Sequence, residues 1–123
     1  MKIIVLGASG MLGHVIALYF KKKYPSKIIL CSRSKINIKS LDKILLKIPE
    51  YSKEKLSLLI EKHRPCKIIN CVGVNKLQFK EEKLYLINSN LPKLLFDLLK
   101  IKNDGSQLIQ ISTNGVFSGK RGD

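Results

Sequence analysis

Three glycines set the most severe limit on how this chain can fold. The stretch Gly7-Ala8-Ser9-Gly10-Met11-Leu12-Gly13 follows the apolar run Ile3-Ile4-Val5-Leu6 and leads into a helical pattern. A buried strand must therefore turn sharply into a helix here. Glycine at the first position tolerates positive φ, the second lets backbone N–H groups approach a pyrophosphate, and the third lets the helix pack closely on the strand. The helix N-terminus then offers unpaired N–H groups and the positive end of its dipole to an anion. The spacing G-x-x-G-x-x-G is shifted by one from the usual dinucleotide fingerprint, but strand before and helix after supply the context that fingerprint needs. The stretch reads as a nucleotide-phosphate loop, with Gly7, Ser9, Gly10, Met11, Leu12 and Gly13 facing the ligand. A merely structural turn is the alternative.

The rest of the chain repeats strand and helix. Residues 2–6 read as a central parallel strand. A helix follows over 11–23, with Leu12, Val15, Ile16, Tyr19 and Phe20 as its buried face, and Tyr24-Pro25-Ser26 stops it. Residues 27–31 form a second strand and complete one βαβ unit. Lys43 to Ile48 gives a short third strand ended by Pro49. Ser52 caps a helix running to His63, with Leu56, Leu59 and Ile60 buried, and Arg64-Pro65 ends it. Residues 67–73 make a fourth strand running into Gly73, at the carboxyl edge where open parallel sheets take ligands. A long helix over 81–100 buries Leu84, Ile87, Leu91, Leu94, Leu95 and Leu98. Pro92 deprives the Asn88 carbonyl of its partner, so a kink is expected there. Residues 107–112 form strand five, and a glycine-punctuated loop follows.

The end of strand two bears on the coenzyme. An NAD site of this kind usually carries an acid about 20 residues beyond the glycines, for the ribose 2′-hydroxyl, whereas arginine accommodates a 2′-phosphate. This chain has Ser32-Arg33-Ser34-Lys35 and no acid until Asp42. NADP(H) is favoured over NAD(H), the alternative being that Arg33 is an ordinary surface charge.

A chain of 123 residues is one domain or part of one. Its net charge of +14 raises nucleic-acid binding as a competing class. The basic residues are twenty lysines against three arginines, dispersed, with no run longer than Lys21-Lys22-Lys23. Tight phosphate clamping and base readout favour clustered arginine, so solvated helix faces are the preferred reading and no nucleic-acid partner is expected. No apolar run reaches the ~18 residues of a membrane span and the start lacks the shape of a signal peptide, so no membrane partner and a cytoplasmic location are expected. Cys31, Cys66 and Cys71 are an odd count without C-x-x-C spacing, and read as buried reduced thiols with no metal to hold.

Taken together, these motifs resemble the extended short-chain dehydrogenase/reductase superfamily, and within it the dTDP-4-dehydrorhamnose reductase-like enzymes, which reduce keto groups on nucleotide-activated sugars. The resemblance rests on the glycine stretch, on Arg64-Pro65 leading into Ile69-Asn70-Cys71-Val72-Gly73, on Asn88-Ser89-Asn90-Leu91-Pro92, and on Ile111-Ser112-Thr113-Asn114-Gly115-Val116-Phe117-Ser118-Gly119. It implies an α/β, Rossmann-like doubly wound parallel sheet of order 3-2-1-4-5, with residues 1–123 as an incomplete NAD(P)-binding domain. It implies that the glycine loop binds pyrophosphate, Ser32 and Arg33 lie at the adenosine ribose phosphate, and Cys71, Val72 and Gly73 lie on the ribose and adenine side. Thr113 matches the active-site Ser/Thr whose hydroxyl polarises the substrate carbonyl. The implied substrate is a nucleotide sugar of surface-polysaccharide synthesis, and homo-oligomerisation stays open.

Three departures qualify the resemblance. Asn114 and Gly115 stand where the family has an acid and then an aromatic or Cys. Pro49 lies nearest the usual adenine-binding Asp, with Glu50 as a substitute. The Tyr-x-x-x-Lys proton-donor pair is expected after the last loop, and the two letter matches, Tyr19 with Lys23 and Tyr51 with Lys55, read as chance, Tyr19 being assigned to a buried helix face. The chain is therefore expected to be a reductase fragment, inactive alone, or else a stand-alone NADP-binding module. An epimerase or dehydratase of the same superfamily is the alternative for the parent enzyme. Strand five is expected to be an exposed edge prone to self-association.

Overall fold

The computed structural model describes residues 1–73, 82 and 85–111. Its centre is strand β1 (Ile3–Leu6), buried at every residue. β2 (Ile28–Ser32) and β4 (Lys67–Asn70) flank it, with β3 (Leu45–Lys47) and β5 (Gln107–Gln110) outside them. All pairings are parallel and the order is β3-β2-β1-β4-β5, the arrangement expected from the sequence. Leu6 lies opposite both Cys31 and Asn70, so the chain leaves β1, β2 and β4 along one shared carboxyl edge. That edge brings Gly7, Ser32 and Cys71 together.

Alternation along β1 feeds two cores. Ile4 and Leu6 pack with Leu56, Leu59 and Ile60 of helix α3 (Lys53–His63) and with Leu91, Leu95 and Leu99 of helix α4 (Leu91–Lys102). Ile3 and Val5 face the other way, towards Ala17 of α1 (Met11–Lys23) and Leu41 of the short α2 (Lys39–Asp42). A sheet buried on both faces needs continuous apolar strands, which explains runs such as Ile3-Ile4-Val5-Leu6.

The limits of α1 are those the sequence gives, but its buried face is not. Gly13 and Ala17 are its buried residues, with Ile16 and Phe20 half-buried. Leu12, Val15 and Tyr19 are exposed, at 47%, 53% and 56%. The helix turns its smallest residues to the sheet because close approach to the Gly7 carbonyl leaves no room for larger ones. A Cβ built on Gly13 would stand 1.9 Å from that oxygen.

Smaller differences follow from local chemistry. β2 is shifted one residue forward and includes Ser32, β4 stops at Asn70 before reaching Gly73, and β5 is confined to 107–110. Ser52 caps α3 as expected, accepting the Lys55 N–H at 3.3 Å, and Arg64 ends it at φ 45°. The irregularity expected before Pro92 is present as a π-helical turn, Leu86–Asn90, leading directly into α4 with the proline in its first turn. Widening the turn is one way a helix accommodates the missing N–H. Leu91, Leu95 and Leu99 are the buried face of α4, Ile87, Leu94 and Leu98 being half-buried, while Leu84 lies outside the described residues. After α4, Lys102 Nζ pairs with Asp104 at 2.7 Å, and Lys102 and Ser106 hold the Asp104 carboxyl down to about 2. Among the described residues, no helix is long and apolar enough to cross a membrane.

Candidate functional site: the carboxyl edge of β1 and β2

The glycine turn is shaped by three different demands. Gly7 has φ +74°, and a Cβ there would stand 2.8 Å from the Val72 nitrogen, so neither its conformation nor the end of β4 accepts a side chain. Gly13 is excluded from substitution by the Gly7 carbonyl, as above. Gly10 differs: its φ is −73° and a Cβ would be 3.4 Å from the Gly7 carbonyl, close to ordinary contact. The protein's own packing hardly demands glycine at position 10. Its place as the N-cap of α1 is one at which glycine is favoured.

Gly10 caps α1 without a side-chain hydrogen bond, and the first turn holds no acidic residue. The first N–H groups of a helix lack intrahelical acceptors, and no carboxylate here offsets the positive dipole end. Met11, 89% exposed, and Leu12 stand at this open end. His14 sits one turn along, its Nδ1 2.9 Å from the Gly10 carbonyl.

The end of β2 is tied to this turn. Ser32, 1% exposed, has its Oγ 2.6 Å from Ser9 Oγ and 2.7 Å from the Ser34 carbonyl, and it accepts the Ser34 N–H at 3.1 Å. Arg33 lies exposed between the two serines. Beside it opens a cavity of about 730 Å³, lined among others by Arg33, Glu50, Tyr51, Ile87, Asn90 and Lys93. Pro49 and Glu50, the residues nearest the usual adenine contact, both line it.

On the β4 side, Cys71 and Val72 press on Gly7, while Gly73 is exposed with room for a Cβ, whose nearest atom would be Asn88 Oδ1 at 3.8 Å. The cysteines are only partly as expected: Cys31 is buried, but Cys66 and Cys71 are half-buried, and all three are free. Burial pushes the Cys31 thiol up to about 12 and raises that of Cys71. Among the described residues no group of His, Cys, Asp or Glu could hold a metal. Thr113, Asn114 and Gly115 lie outside the described residues, so the hydroxyl proposed to polarise a substrate has no described position.

Two residues were passed over in the sequence. Asn70, fully buried, donates through Nδ2 to Gln110 Oε1 at 2.8 Å and accepts the Val72 N–H at 3.1 Å, bracing the turn after β4 against β5. A polar residue inside Lys67-Ile68-Ile69-Asn70 was its signal. Tyr51 is the other. Its ring packs against the core cluster that contains Leu6, Cys31 and Leu56, with the Gly7 backbone and Arg33 near its hydroxyl. Burial pushes that hydroxyl up to about 12, although the Gly7 contact and the Arg33 charge oppose the shift. Nothing in the sequence pairs positions 7 and 51. Tyr19, by contrast, is on the exposed face of α1 and not the buried one, with Lys23 Nζ 3.5 Å from its hydroxyl. Eight residues of helix place it about 12 Å along the axis from the glycine turn.

The sequence pattern of the NAD-dependent epimerase/dehydratase family matches residues 3–122. Among solved structures, the chain is similar to L-threonine 3-dehydrogenase from Trypanosoma brucei, with 18% identity and a TM-score of 0.77 over 91% of this chain and 36% of that one. It is similar to dTDP-glucose 4,6-dehydratase from Bacillus anthracis, solved in complex with NAD, with 23% identity and a TM-score of 0.74 over 92% and 37%. A hypothetical dTDP-4-dehydrorhamnose reductase from Sulfolobus tokodaii gives 25% identity and a TM-score of 0.71 over 98% and 42%. The chain thus spans well under half the length of each. No curated protein sequence matches it.

Proposed function

Since the chain belongs to the NAD-dependent epimerase/dehydratase family, we propose that it forms the coenzyme-binding part of a nucleotide-sugar keto-reductase resembling dTDP-4-dehydrorhamnose reductase, with NADP(H) as coenzyme. The observation that carries the coenzyme assignment is the Ser9–Ser32 contact of 2.6 Å with Arg33 beside it and no carboxylate at the end of β2. A ribose 2′-hydroxyl site needs an acceptor there, whereas a 2′-phosphate needs donors and positive charge. Exposed Arg33, on the turn that the Ser32 contacts hold, supplies that charge and those donors.

In this reading the backbone from Gly7 to Gly13 holds the pyrophosphate, Arg33 holds the 2′-phosphate from the turn that Ser32 fixes, and Cys71, Val72 and Gly73 border the adenosine side. Bound coenzyme would supply hydride to a keto carbon. Thr113 would hydrogen-bond the keto oxygen, stabilising the negative charge that develops as hydride arrives. Proton donation needs a tyrosine of lowered pKa. Tyr51, pushed up to about 12 by burial, is the wrong group for that task. The 123 residues alone are therefore proposed to bind NADP(H) without turnover. An epimerase or dehydratase parent is the second reading, supported by the family itself and by the likeness to the B. anthracis dehydratase.

Calorimetric titration of the purified chain tests the coenzyme assignment: NADP+ should bind at least tenfold tighter than NAD+, and equal or reversed affinities overturn it. NADPH oxidation by this chain alone with a 4-keto-sugar nucleotide overturns the claim of no turnover.

A further inference from the structure

The ends of β4 and β5 are joined by a closed ring of hydrogen bonds. The Ile111 N–H donates to the Asn70 carbonyl at 3.2 Å, continuing the parallel ladder. Side chains complete the ring: Asn70 Nδ2 donates to Gln110 Oε1 at 2.8 Å, and Gln110 Nε2 donates to the Ile111 carbonyl at 3.0 Å. That leaves Asn70 Oδ1, which accepts the Val72 N–H at 3.1 Å. A side-chain amide has one donor end and one acceptor end. With Gln110 taking the donor end, the acceptor end must face Val72. Asn70 is fully buried and Gln110 is exposed on the outermost strand, so an accessible residue decides which way a buried amide is turned.

Val72 is where that orientation reaches the glycine turn. Its nitrogen would stand 2.8 Å from a Cβ on Gly7, and the Cys71 carbonyl carbon 2.9 Å from it. The Cys71 N–H donates to the Leu6 carbonyl at 2.9 Å, so the ladder holds the first residue after β4 and the Asn70 side chain holds the second. Backbone meets backbone at Gly7, with no flexible side chain between, so a shift of Val72 is passed on to the turn directly.

We propose that Asn70 and Gln110 are positioning residues of the nucleotide site: the pair holds Cys71 and Val72 against Gly7 and so sets the shape of the pyrophosphate turn from the outermost strand. This rests on the nucleotide-site reading above, and it gives β5 a part in coenzyme binding that neither the glycine stretch nor Arg33 supplies. Because the pyrophosphate is common to both coenzymes, the pair acts on NAD+ and NADP+ alike. Arg33 acts only on the one that carries a 2′-phosphate.

The test titrates Gln110→Leu, Gln110→Glu and the unsubstituted chain with NADP+ and with NAD+. Gln110 is exposed, so neither variant opens a cavity in the core. Leucine removes both hydrogen bonds and leaves the Asn70 amide without its acceptor. Both coenzymes should then bind more weakly by the same factor, about 3- to 10-fold. Glutamate keeps an oxygen for Asn70 Nδ2 and should restore both affinities to within about twofold. Amide exchange of Val72, followed by NMR without ligand, should accelerate in Gln110→Leu and stay slow in Gln110→Glu, while Ile4 and Val5 stay protected in both. A merely structural pair would lower the melting temperature of Gln110→Leu and leave both affinities unchanged. That result, a loss confined to NADP+, or equal losses in the leucine and glutamate variants, overturns the proposal. If the unsubstituted chain binds neither coenzyme, the nucleotide-site reading falls and this proposal falls with it.

Discussion

Ser32 Oγ stands 2.6 Å from Ser9 Oγ, joining the turn after β1 to the turn after β2. One hydroxyl carries one proton, so Ser32 cannot donate to both Ser9 and the Ser34 carbonyl 2.7 Å away. The consistent arrangement has Ser9 donating to Ser32, Ser32 donating to the Ser34 carbonyl, and the Ser34 N–H returning to Ser32. Ser32→Ala breaks all three links and strands polar groups at a buried position. A loss of about 1–3 kcal/mol in stability is expected from urea unfolding. Arg33, held between the two serines, should lose its placement as well, so affinity for NADP+ should fall further than affinity for NAD+.

The three glycines should separate on substitution by alanine. Gly13→Ala drives a methyl to within 1.9 Å of the Gly7 carbonyl, backbone that cannot yield without moving α1 off the sheet. It should cost about 3 kcal/mol or abolish folding. Gly10→Ala meets nothing closer than 3.4 Å, at an ordinary φ, and should change stability by less than about 1 kcal/mol. Its effect should appear in nucleotide affinity instead. Thermal melts together with NADP+ titration would show the two variants failing in different assays; a stable Gly13→Ala contradicts the packing account.

The alternation of strand and helix and the glycine turn were legible in the sequence because each depends on neighbours in the chain: an apolar run, a glycine, a helical period; the sheet order followed from the family resemblance. The buried face of α1 was not legible for a physical reason. The helix is apolar on more than one side, so periodicity alone permits several faces, and bulk pointed to Leu12, Val15 and Tyr19. Contact distance decided otherwise, since Gly13 and Ala17 let the helix come closest to the sheet. Asn70 was illegible as a brace because its partner Gln110 lies far off in sequence and is reached only through the parallel register, and the placing of Tyr51 beside the glycine turn is equally non-local. The proline in the long helix was legible as a disturbance, but a π turn and a sharp kink are alternative answers to the same missing N–H, and sequence does not choose between them.

Both ends of the pH scale should act through identifiable groups. Cys31 and Tyr51 are acids raised to about 12 by burial, from ordinary values of 9.0 and 10.0. The unfolded chain therefore releases these protons first as pH rises. Their contribution to stability is complete below pH 9 and is lost as pH climbs towards 12. Asp104 is the opposite case, lowered to about 2 by its bonds to Lys102 and Ser106. What it contributes is complete above pH 4 and disappears as pH falls through 2. Urea midpoints measured across pH should show both arms, with Cys31→Val flattening the alkaline arm and Asp104→Asn the acid arm. An alkaline arm unchanged in Cys31→Val would mean that the thiol is not buried in solution.

Arg33 should decide between the two coenzymes, because it is exposed beside a cavity whose other lining cation is Lys93 and whose acids are Glu50 and Asp97. Arg33→Ala removes a charge-assisted contact to a 2′-phosphate and nothing that a 2′-hydroxyl uses. A surface guanidinium is screened by solvent, so the expected penalty is moderate, about tenfold in NADP+ affinity or ~1.4 kcal/mol, with NAD+ unchanged. Raising ionic strength should weaken NADP+ binding to the unsubstituted chain and have much less effect on Arg33→Ala. Arg33→Asp goes further, placing an acceptor at the end of β2 where a ribose hydroxyl needs one. It should bring NAD+ to parity with NADP+ or beyond it. If NADP+ affinity is instead the same in all three proteins, the end of β2 does not read the 2′-phosphate, and the preference must come from Lys93 or from residues that the sequence pattern did not single out.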